Sequence, residues 1–225
     1  MKVSEKLTAI KEKISEACER SGRNPEDITI VAVTKYVTTD RAREAVDAGI
    51  LHLGENRDEG LLEKYSFLGD KPVWHFIGSL QTRKVKNIID KVTYIHSLDR
   101  IALAEEIQKR ARETVQCFVQ VNVSGEASKH GLEPGETLQF IRSIEGLDKI
   151  KIVGLMAMAP FSDNEEILRN CFRTLKTLQT EIQQAGMGHA PCNELSMGMS
   201  NDYPVAIEEG ATIIRIGTAL VGEDS

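Results

Sequence analysis

The sequence predicts an α/β fold, namely a single (β/α)8 TIM-like barrel with an extra N-terminal helix. Three observations support this prediction. The 225 residues suit one α/β barrel. The strand segments are apolar nearly throughout, as in parallel strands covered by helices, and about eight of them alternate with helical patterns. An open doubly wound sheet is the alternative that this alternation permits, and the count of eight favours the barrel.

The first elements are an amphipathic helix and a β-branched strand. Apolar residues recur at steps of three and four over residues 3–18, and Ser21-Gly22 can end the helix. Residues 28–34 form the first strand, and Thr39 and Asp40 offer capping oxygens to the next helix. The later strands are predicted at 51–53, 73–77, 92–96, 115–123, 150–156, 194–197 and 212–216, separated by helices at 55–65, 82–89, 98–112, 134–144, 167–182 and 205–209. No linker interrupts the series, so residues 1–225 are expected to form one domain.

Composition and charge exclude several classes of protein. With 28 basic and 34 acidic residues the net charge is −6, which argues against a general nucleic-acid binder. No stretch approaches about 18 consecutive apolar residues, so we expect no membrane span, and the N-terminus lacks a signal-peptide core. The four cysteines are scattered without C-x-x-C spacing, which predicts neither a disulfide framework nor a metal site. These features are typical of a soluble cytoplasmic protein.

Polar residues at the C-terminal ends of the strands are the candidates for function, because barrel sites lie there. Lys35 follows the first strand directly. Most lysines are solvated surface charges, but one partly desolvated at a barrel mouth can lose its proton and form a Schiff base with a carbonyl. His75 is more typical of a hydrogen-bonded core residue, and Asn56 and Asn122 of loop or cap positions. Lys129 and His130 are expected in a loop.

Two segments near the C-terminus suit a phosphate group. Residues 194–203 place small residues and hydroxyls between a strand and a helix, where backbone N–H groups favour an anion. Arg215, Gly217 and Thr218 follow the last strand, and barrels often bind phosphate after strands seven and eight. Ordinary turn glycines and a surface arginine are the competing interpretation. Together with Lys35, the segments fit pyridoxal 5′-phosphate (PLP), which carries an aldehyde and a phosphate on one ring.

The chain resembles the pyridoxal phosphate homeostasis proteins, which are similar to the N-terminal barrel of alanine racemase and have fold type III. The resemblance runs over essentially the whole chain, and seven segments carry it in order. They are residues 31–35, 52–56, 74–78 with 80–81, 120–122 with 129–131, 154–156, 195–200 and 215–218. Residues 82–84 depart from it, because many relatives have Ser-Asn-Lys where this chain has Thr-Arg-Lys.

The resemblance implies a PLP site within this barrel. Its residues would be Lys35, Asn56, Met199, Ser200, Arg215, Gly217 and Thr218. Lys35 would hold PLP as a Schiff base, Ser200 and the Gly217-Thr218 segment would bind its phosphate, and Asn56 and Met199 would lie beside the ring. Arg215 would face the pyridine nitrogen, which stays unprotonated because arginine does not give up its proton.

Three functions are compatible with these residues. A PLP-binding homeostasis protein would hold the cofactor and deliver it to PLP-dependent apoenzymes without robust catalysis. An alanine-type racemase would need a second base, which in that family comes from the partner's C-terminal domain, and here seven residues follow Thr218. A Schiff-base aldolase would leave Arg215 without a role. We expect the homeostasis protein, as a monomer with no catalytic residues and no metal, and keep the racemase as the alternative.

Overall fold

Eight parallel strands form one closed barrel in the computed structural model, which describes residues 2–126 and 130–222. The strands are β1 (Thr29–Val33), β2 (His52–Glu55), β3 (Val73–Phe76), β4 (Tyr94–Leu98), β5 (Val115–Gln120), β6 (Ile150–Met156), β7 (Glu194–Ser196) and β8 (Ile213–Ile216). Each strand pairs with the next along the chain, and β8 pairs with β1. The predicted barrel is confirmed, and the open doubly wound alternative is wrong.

Helices connect successive strands, and one precedes the barrel. Within the described residues they are α1 (Val3–Ser21), α2 (Thr39–Asp47), α3 (Asp58–Leu68), α4 (Val85–Ile88), α5 (Ile101–Arg110), α6 (Pro134–Ser143), α7 (Glu165–Gln184) and α8 (Tyr203–Glu208). As predicted, α1 precedes β1 and ends at Gly22, whose left-handed φ of 67° suits a residue without a side chain. None of these helices is long and apolar enough to cross a bilayer.

Several element boundaries differ from the prediction around the first two strands. The cap of α2 is Thr38, whose hydroxyl accepts from the Arg41 N–H at 3.3 Å, whereas Thr39 and Asp40 lie in the first turn. Helix α3 begins three residues later than predicted, at Asp58 rather than at residue 55. The reason is that Glu55 ends β2 with its side chain buried, so the chain stays extended there.

Boundaries also differ around β4. The predicted helix at 82–89 is a 3-10 turn over Thr82–Lys84 followed by the short α4. Strand β4 is shifted two residues toward the C-terminus, and its pairing with β5 changes register between Ile95 and Leu98. Helix α5 consequently begins at Ile101, capped by the extended Arg100 rather than opened by Asp99.

The barrel interior contains both apolar and polar side chains. The larger of two apolar clusters joins the strands to the surrounding helices. The smaller cluster contains only strand residues and therefore fills the barrel interior. Its members are Val31, Phe118, Val153, Met156 and Ile213. His52 and Arg215 both pair with Val31 in the sheet register, which places them on the same face. Gly54 on β2 packs closely against β1, because a Cβ on it would lie 2.9 Å from Val31 Cγ1.

Candidate functional site

Lys35 lies in the turn that follows β1, at the C-terminal mouth of the barrel. Its side chain is exposed, and its Nζ lies 4.7 Å from the centre of the Tyr36 ring. The Lys35 side chain is therefore not desolvated. The reason is local, because Tyr36 is itself 56% exposed and holds the amine by a cation–π contact at the rim. An amine in this position is accessible to a carbonyl compound.

Three buried polar side chains, those of Thr34, Glu55 and Lys64, form a group that we call the Glu55 network. Thr34 directly precedes Lys35, and Glu55 directly precedes Asn56. The Thr34 hydroxyl donates to Glu55 Oε1 at 2.6 Å, and Lys64 Nζ lies 3.1 Å from the same oxygen. Burial raises the pKa of Glu55, although the Thr34 and Lys64 contacts oppose that rise. Thr34 directly follows β1, and Glu55 is the last residue of β2. The network therefore fixes the two turns that contain Lys35 and Asn56.

Asn56 is half-buried at the end of β2, next to the end of β3. A Cβ at Gly78 would lie 2.4 Å from the Asn56 carbonyl oxygen, so this close approach requires glycine. Asn56 lines a cavity of about 660 Å³ together with Ser79 and Lys84. The interpretation of Asn56 as a loop residue agrees with this placement, and the cavity beside it leaves room for a ligand.

The two segments predicted to bind phosphate are neighbours in space. The Ser200 hydroxyl accepts from the Ala219 N–H at 3.4 Å, which joins the loop after β7 to the turn after β8. Gly217 lies beside β1, because a Cβ on it would be 3.5 Å from Val33 Cβ. The ends of β7, β8 and β1 therefore bring Ser200, Gly217 and the turn containing Lys35 to the same side of the mouth.

Met199 and Asp202 complete the loop after β7. Met199 is 37% exposed and lines, with Met158 and Phe161, another cavity of about 660 Å³. Asp202 is buried, and its Oδ1 accepts from the Met199 N–H at 2.6 Å. Burial raises the Asp202 pKa, while the charge of Arg215 lowers it. Sequence reasoning missed Asp202, although an aspartate directly before a helix is a common loop-fixing residue.

Arg215 is buried inside the barrel, so its interpretation as a surface arginine is wrong. Its Nη1 donates to the Ser196 carbonyl at 2.8 Å and to the Ser196 hydroxyl at 2.6 Å, and its Nη2 donates to the Ala157 carbonyl at 3.0 Å. Burial lowers its pKa to about 10, so it still carries its charge near neutral pH. These three bonds fix the plane of the guanidinium.

A row of hydrogen-bonded side chains, which we call the histidine chain, leads away from Arg215 through the barrel interior. It consists of Ser196, His96, His75 and His52. The contacts are His96 Nδ1 to Ser196 Oγ at 2.9 Å, His75 Nδ1 to His96 Nε2 at 2.8 Å, and His52 Nδ1 to His75 Nε2 at 2.9 Å. Burial lowers the pKa of all three histidines.

Aromatic rings hold the two inner histidines. Tyr94 stacks on His75 with ring centres 4.5 Å apart, and Phe118 stacks on His96 at 4.3 Å. The interpretation of His75 as a hydrogen-bonded core residue fits this environment. Over residues 2–126 and 130–222, no group of three or more His, Cys, Asp or Glu side chains is arranged to hold a metal ion.

The loop after β5 is built around Asn122. Its Nδ2 donates to the Glu126 carbonyl at 3.0 Å, and its Oδ1 accepts from the Ser124 hydroxyl at 3.1 Å. Asn122 thus acts as the loop-forming residue that its position predicts. Lys129, which belongs to one of the segments carrying the resemblance, lies outside the described residues.

Comparison with known proteins identifies the class to which this barrel and site belong. The family model for the alanine racemase N-terminal domain matches residues 6–225. An alanine racemase from Clostridium difficile 630 has a TM-score of 0.79 over 97% of this chain and 56% of its own, at 17% identity, which shows a shared fold.

Closer relatives cover the full length. The pyridoxal phosphate homeostasis protein of Aquifex aeolicus is 45% identical over 99% of both chains, and that of Escherichia coli K12 is 31% identical over 98% of this chain and 96% of its own. The structure of PipY from Synechococcus elongatus PCC7942 with PLP bound has a TM-score of 0.84 at 32% identity, covering 98% of this chain and all of PipY. The chain belongs to the family of pyridoxal phosphate homeostasis proteins.

Proposed function

We propose that this protein binds pyridoxal 5′-phosphate and acts in the homeostasis of that cofactor. The observation that carries the proposal is the convergence of Lys35, Arg215 and the joined Ser200 and Gly217 segments at one end of the barrel. All of these groups come from one chain, so we propose a monomer with a single domain. The four cysteines are buried as thiols, which agrees with a cytoplasmic location.

The donor set suits the two ends of PLP. Ser200 and Thr218 supply hydroxyls for the phosphate, and the backbone at Gly217 is open to close approach. Lys35 supplies an accessible amine for the aldehyde, so that the cofactor is held as a Schiff base. The Asp202 carboxylate works against an anion in this loop, but it is engaged by the Met199 N–H and lies in the field of Arg215.

Arg215 determines what the bound cofactor can do. Its guanidinium has five N–H donors and no acceptor, and three of the donors are used in the bonds to Ser196 and Ala157. We propose that one of the other two faces the pyridine nitrogen. A nitrogen that accepts this bond stays unprotonated, which weakens the ring as an electron sink. Such a site favours holding and delivering PLP over turning over a substrate.

Titration with PLP tests the proposal. The protein should develop visible absorbance, borohydride should fix the adduct to Lys35, and Lys35→Ala should abolish the fixed adduct. Lys13→Ala on the exposed face of α1 is the matched control and should behave as wild type. Pyridoxal without phosphate should bind more weakly, since charge-assisted hydrogen bonds contribute about 1.5–3 kcal/mol each. An adduct that maps only to another lysine would refute the assignment of Lys35.

Delivery needs a separate measurement. The loaded protein, freed of excess PLP, should activate a purified PLP-dependent apoenzyme to the extent that its cofactor content allows. Free PLP at equal concentration gives the reference rate. Failure to activate any of several apoenzymes over hours would limit the function to storage.

Alanine racemisation is the alternative, favoured by the fold shared with alanine racemase. It requires acid/base groups on both faces of the cofactor. Lys35 supplies one base, but Asn56, Met199, Ser200 and Thr218 do not accept protons near neutral pH. Loss of one of two such groups costs about 10²–10⁴-fold in rate. Chiral chromatography after long incubation with L-alanine in D₂O should show no substantial D-alanine; turnover of about 1 s⁻¹ or faster that Lys35→Ala abolishes would establish a racemase.

A further inference from the structure

The histidine chain has a direction, and Arg215 sets it. A guanidinium only donates hydrogen bonds, so the Ser196 hydroxyl must accept at its 2.6 Å contact with Nη1. The Ser196 carbonyl is occupied by the same Nη1. Among the described residues the other contact of this hydroxyl is His96 Nδ1 at 2.9 Å, so the hydroxyl satisfies its donor by giving its proton to that nitrogen.

The direction then passes from ring to ring. His96 accepts at Nδ1, so its neutral ring carries the proton on Nε2 and donates to His75 Nδ1 at 2.8 Å. His75 is forced into the same form and donates from Nε2 to His52 Nδ1 at 2.9 Å. His52, in turn, carries its proton on Nε2. A second proton on His75 or His96 would set two N–H groups against each other, so the chain holds both rings neutral.

The two ends of the chain lie in different surroundings. Ser196, His96 and His75 are buried, with Tyr94 and Phe118 fixing the ring planes. His52 is half-buried and lines a cavity of about 410 Å³ between the N-terminal end of the barrel and α1. Of the ionisable groups nearby, Asp202 acts on Arg215 and Glu194 acts on Tyr94. Neither is a partner in the four hydrogen bonds from Arg215 to His52.

We propose that Ser196, His96 and His75 are positioning residues that hold the Arg215 guanidinium toward the mouth of the barrel through a one-way hydrogen-bond chain of Nε2–H histidines. The proposal rests on the proposed function for the ligand that Arg215 meets, but the direction of the chain does not depend on it. The polarity originates at Arg215, so changes near Arg215 should reverse or scramble it, and changes at His52 should not.

Nitrogen-15 NMR of labelled histidines, recorded without added cofactor, tests the direction. His52, His75 and His96 should all appear as neutral Nε2–H rings. Ser196→Ala should convert His96 to a mixture of the two neutral forms, and Ser196→Thr, which keeps the hydroxyl, should restore the single form. His52→Ala should leave His75 and His96 as they are. A neutral Nδ1–H form or a cation at His75 or His96 in the wild type would overturn the chain.

PLP titration of the same variants tests the positioning. Ser196→Ala should weaken PLP binding by about tenfold and shift the absorption of the bound cofactor, and Ser196→Thr should recover both. If the wild type shows the predicted histidine forms but binds no PLP, the proposed function fails while the direction of the chain stands. If Ser196→Ala alters neither the histidine forms nor the spectrum, the positioning role is wrong. Should Ser196→Ala not fold, the histidine forms of the wild type, together with unchanged His75 and His96 in His52→Ala, still decide the direction.

Discussion

Two buried polar networks support the mouth of the barrel, and they are built on opposite principles. The Glu55 network is a charged pair confined to the neighbouring elements β1, β2 and α3. The histidine chain is neutral and runs across the interior between β2, β3, β4, β7 and β8. The Glu55 network pairs two opposite charges near Lys35. The histidine chain fixes which atom of each side chain donates its hydrogen bond, starting from Arg215.

The comparison shows how each kind of network fixes a functional group. In an ion pair each partner compensates the buried charge of the other, so the removal of one leaves an uncompensated charge. In a neutral chain each member uses its donor and its acceptor, so the loss of one member changes the orientation of the rest. Removal of one member of the Glu55 network should therefore mainly lower the free energy of unfolding. Removal of one member of the histidine chain should mainly change the orientation of the side chains around Arg215.

The largest effect is expected from removing one partner of the ion pair. Lys64→Met leaves the Glu55 carboxylate buried without its cation and should lower the free energy of unfolding by about 3–5 kcal/mol. Urea unfolding measures the loss. The double variant Glu55→Gln with Lys64→Met should recover much of it, because no buried charge is left.

Lys71→Met is the control for this experiment, since Lys71 is exposed. It should change the free energy of unfolding by no more than about 0.5 kcal/mol. If Lys64→Met is as stable as Lys71→Met, the pair is not a balanced buried charge, and the contrast between the two networks is lost.

A smaller effect separates the networks by the sign of their pH dependence. Burial lowers the pKa of His75 and His96 in the folded state. The unfolded chain therefore binds more protons below the ordinary histidine pKa of about 6.5, and stability falls as pH drops below that value. Burial raises the pKa of Glu55, so its contribution is largest below its ordinary pKa of 4.5 and decreases as pH rises.

Urea midpoints between about pH 5 and 7.5 measure these slopes. Each buried histidine contributes up to about 1.4 kcal/mol per pH unit, so His75→Gln should flatten the profile by roughly one proton. An equal slope in His75→Gln and wild type would show that His75 titrates alike in the folded and unfolded states.

The barrel can be predicted from the sequence, whereas the buried networks that support it cannot. Alternating apolar strands and helices are local patterns, so the eight strands and the placement of Lys35 after β1 follow from them. The sequence predicts a helix from residue 55, whereas the partners of Glu55 make it the buried end of a strand. Only the folded barrel brings Thr34 and Lys64 to it.

The histidine chain is still less accessible to sequence reasoning. His75 and His96 are 21 residues apart, and His96 and Ser196 are 100 residues apart. No periodicity within one segment reports such contacts. One signal was present, because β2, β3 and β4 each contain a histidine, and closure of the barrel turns consecutive strands toward one interior. A surface position for Arg215 is the competing interpretation of the sequence for a related reason, since the acceptors that bury it lie on β7 and after β6.

The smallest expected effect comes from a third network, which is charged like the Glu55 network but is only partly buried. Arg169 on α7 pairs with Glu165, Glu208 and Glu209, and so ties α7 to the helix that follows the Ser200 loop. Ion pairs that solvent still reaches contribute about 0.2–1 kcal/mol each and weaken with salt. Arg169→Ala should therefore lower the free energy of unfolding by about 1 kcal/mol at low ionic strength and by less in 1 M salt, measured by urea unfolding at both.

Arg43→Ala, which removes an exposed pair within α2, is the control and should have a smaller effect still. If Arg169→Ala costs as much as Lys64→Met, then the number of charged partners decides the strength of these networks, and burial does not.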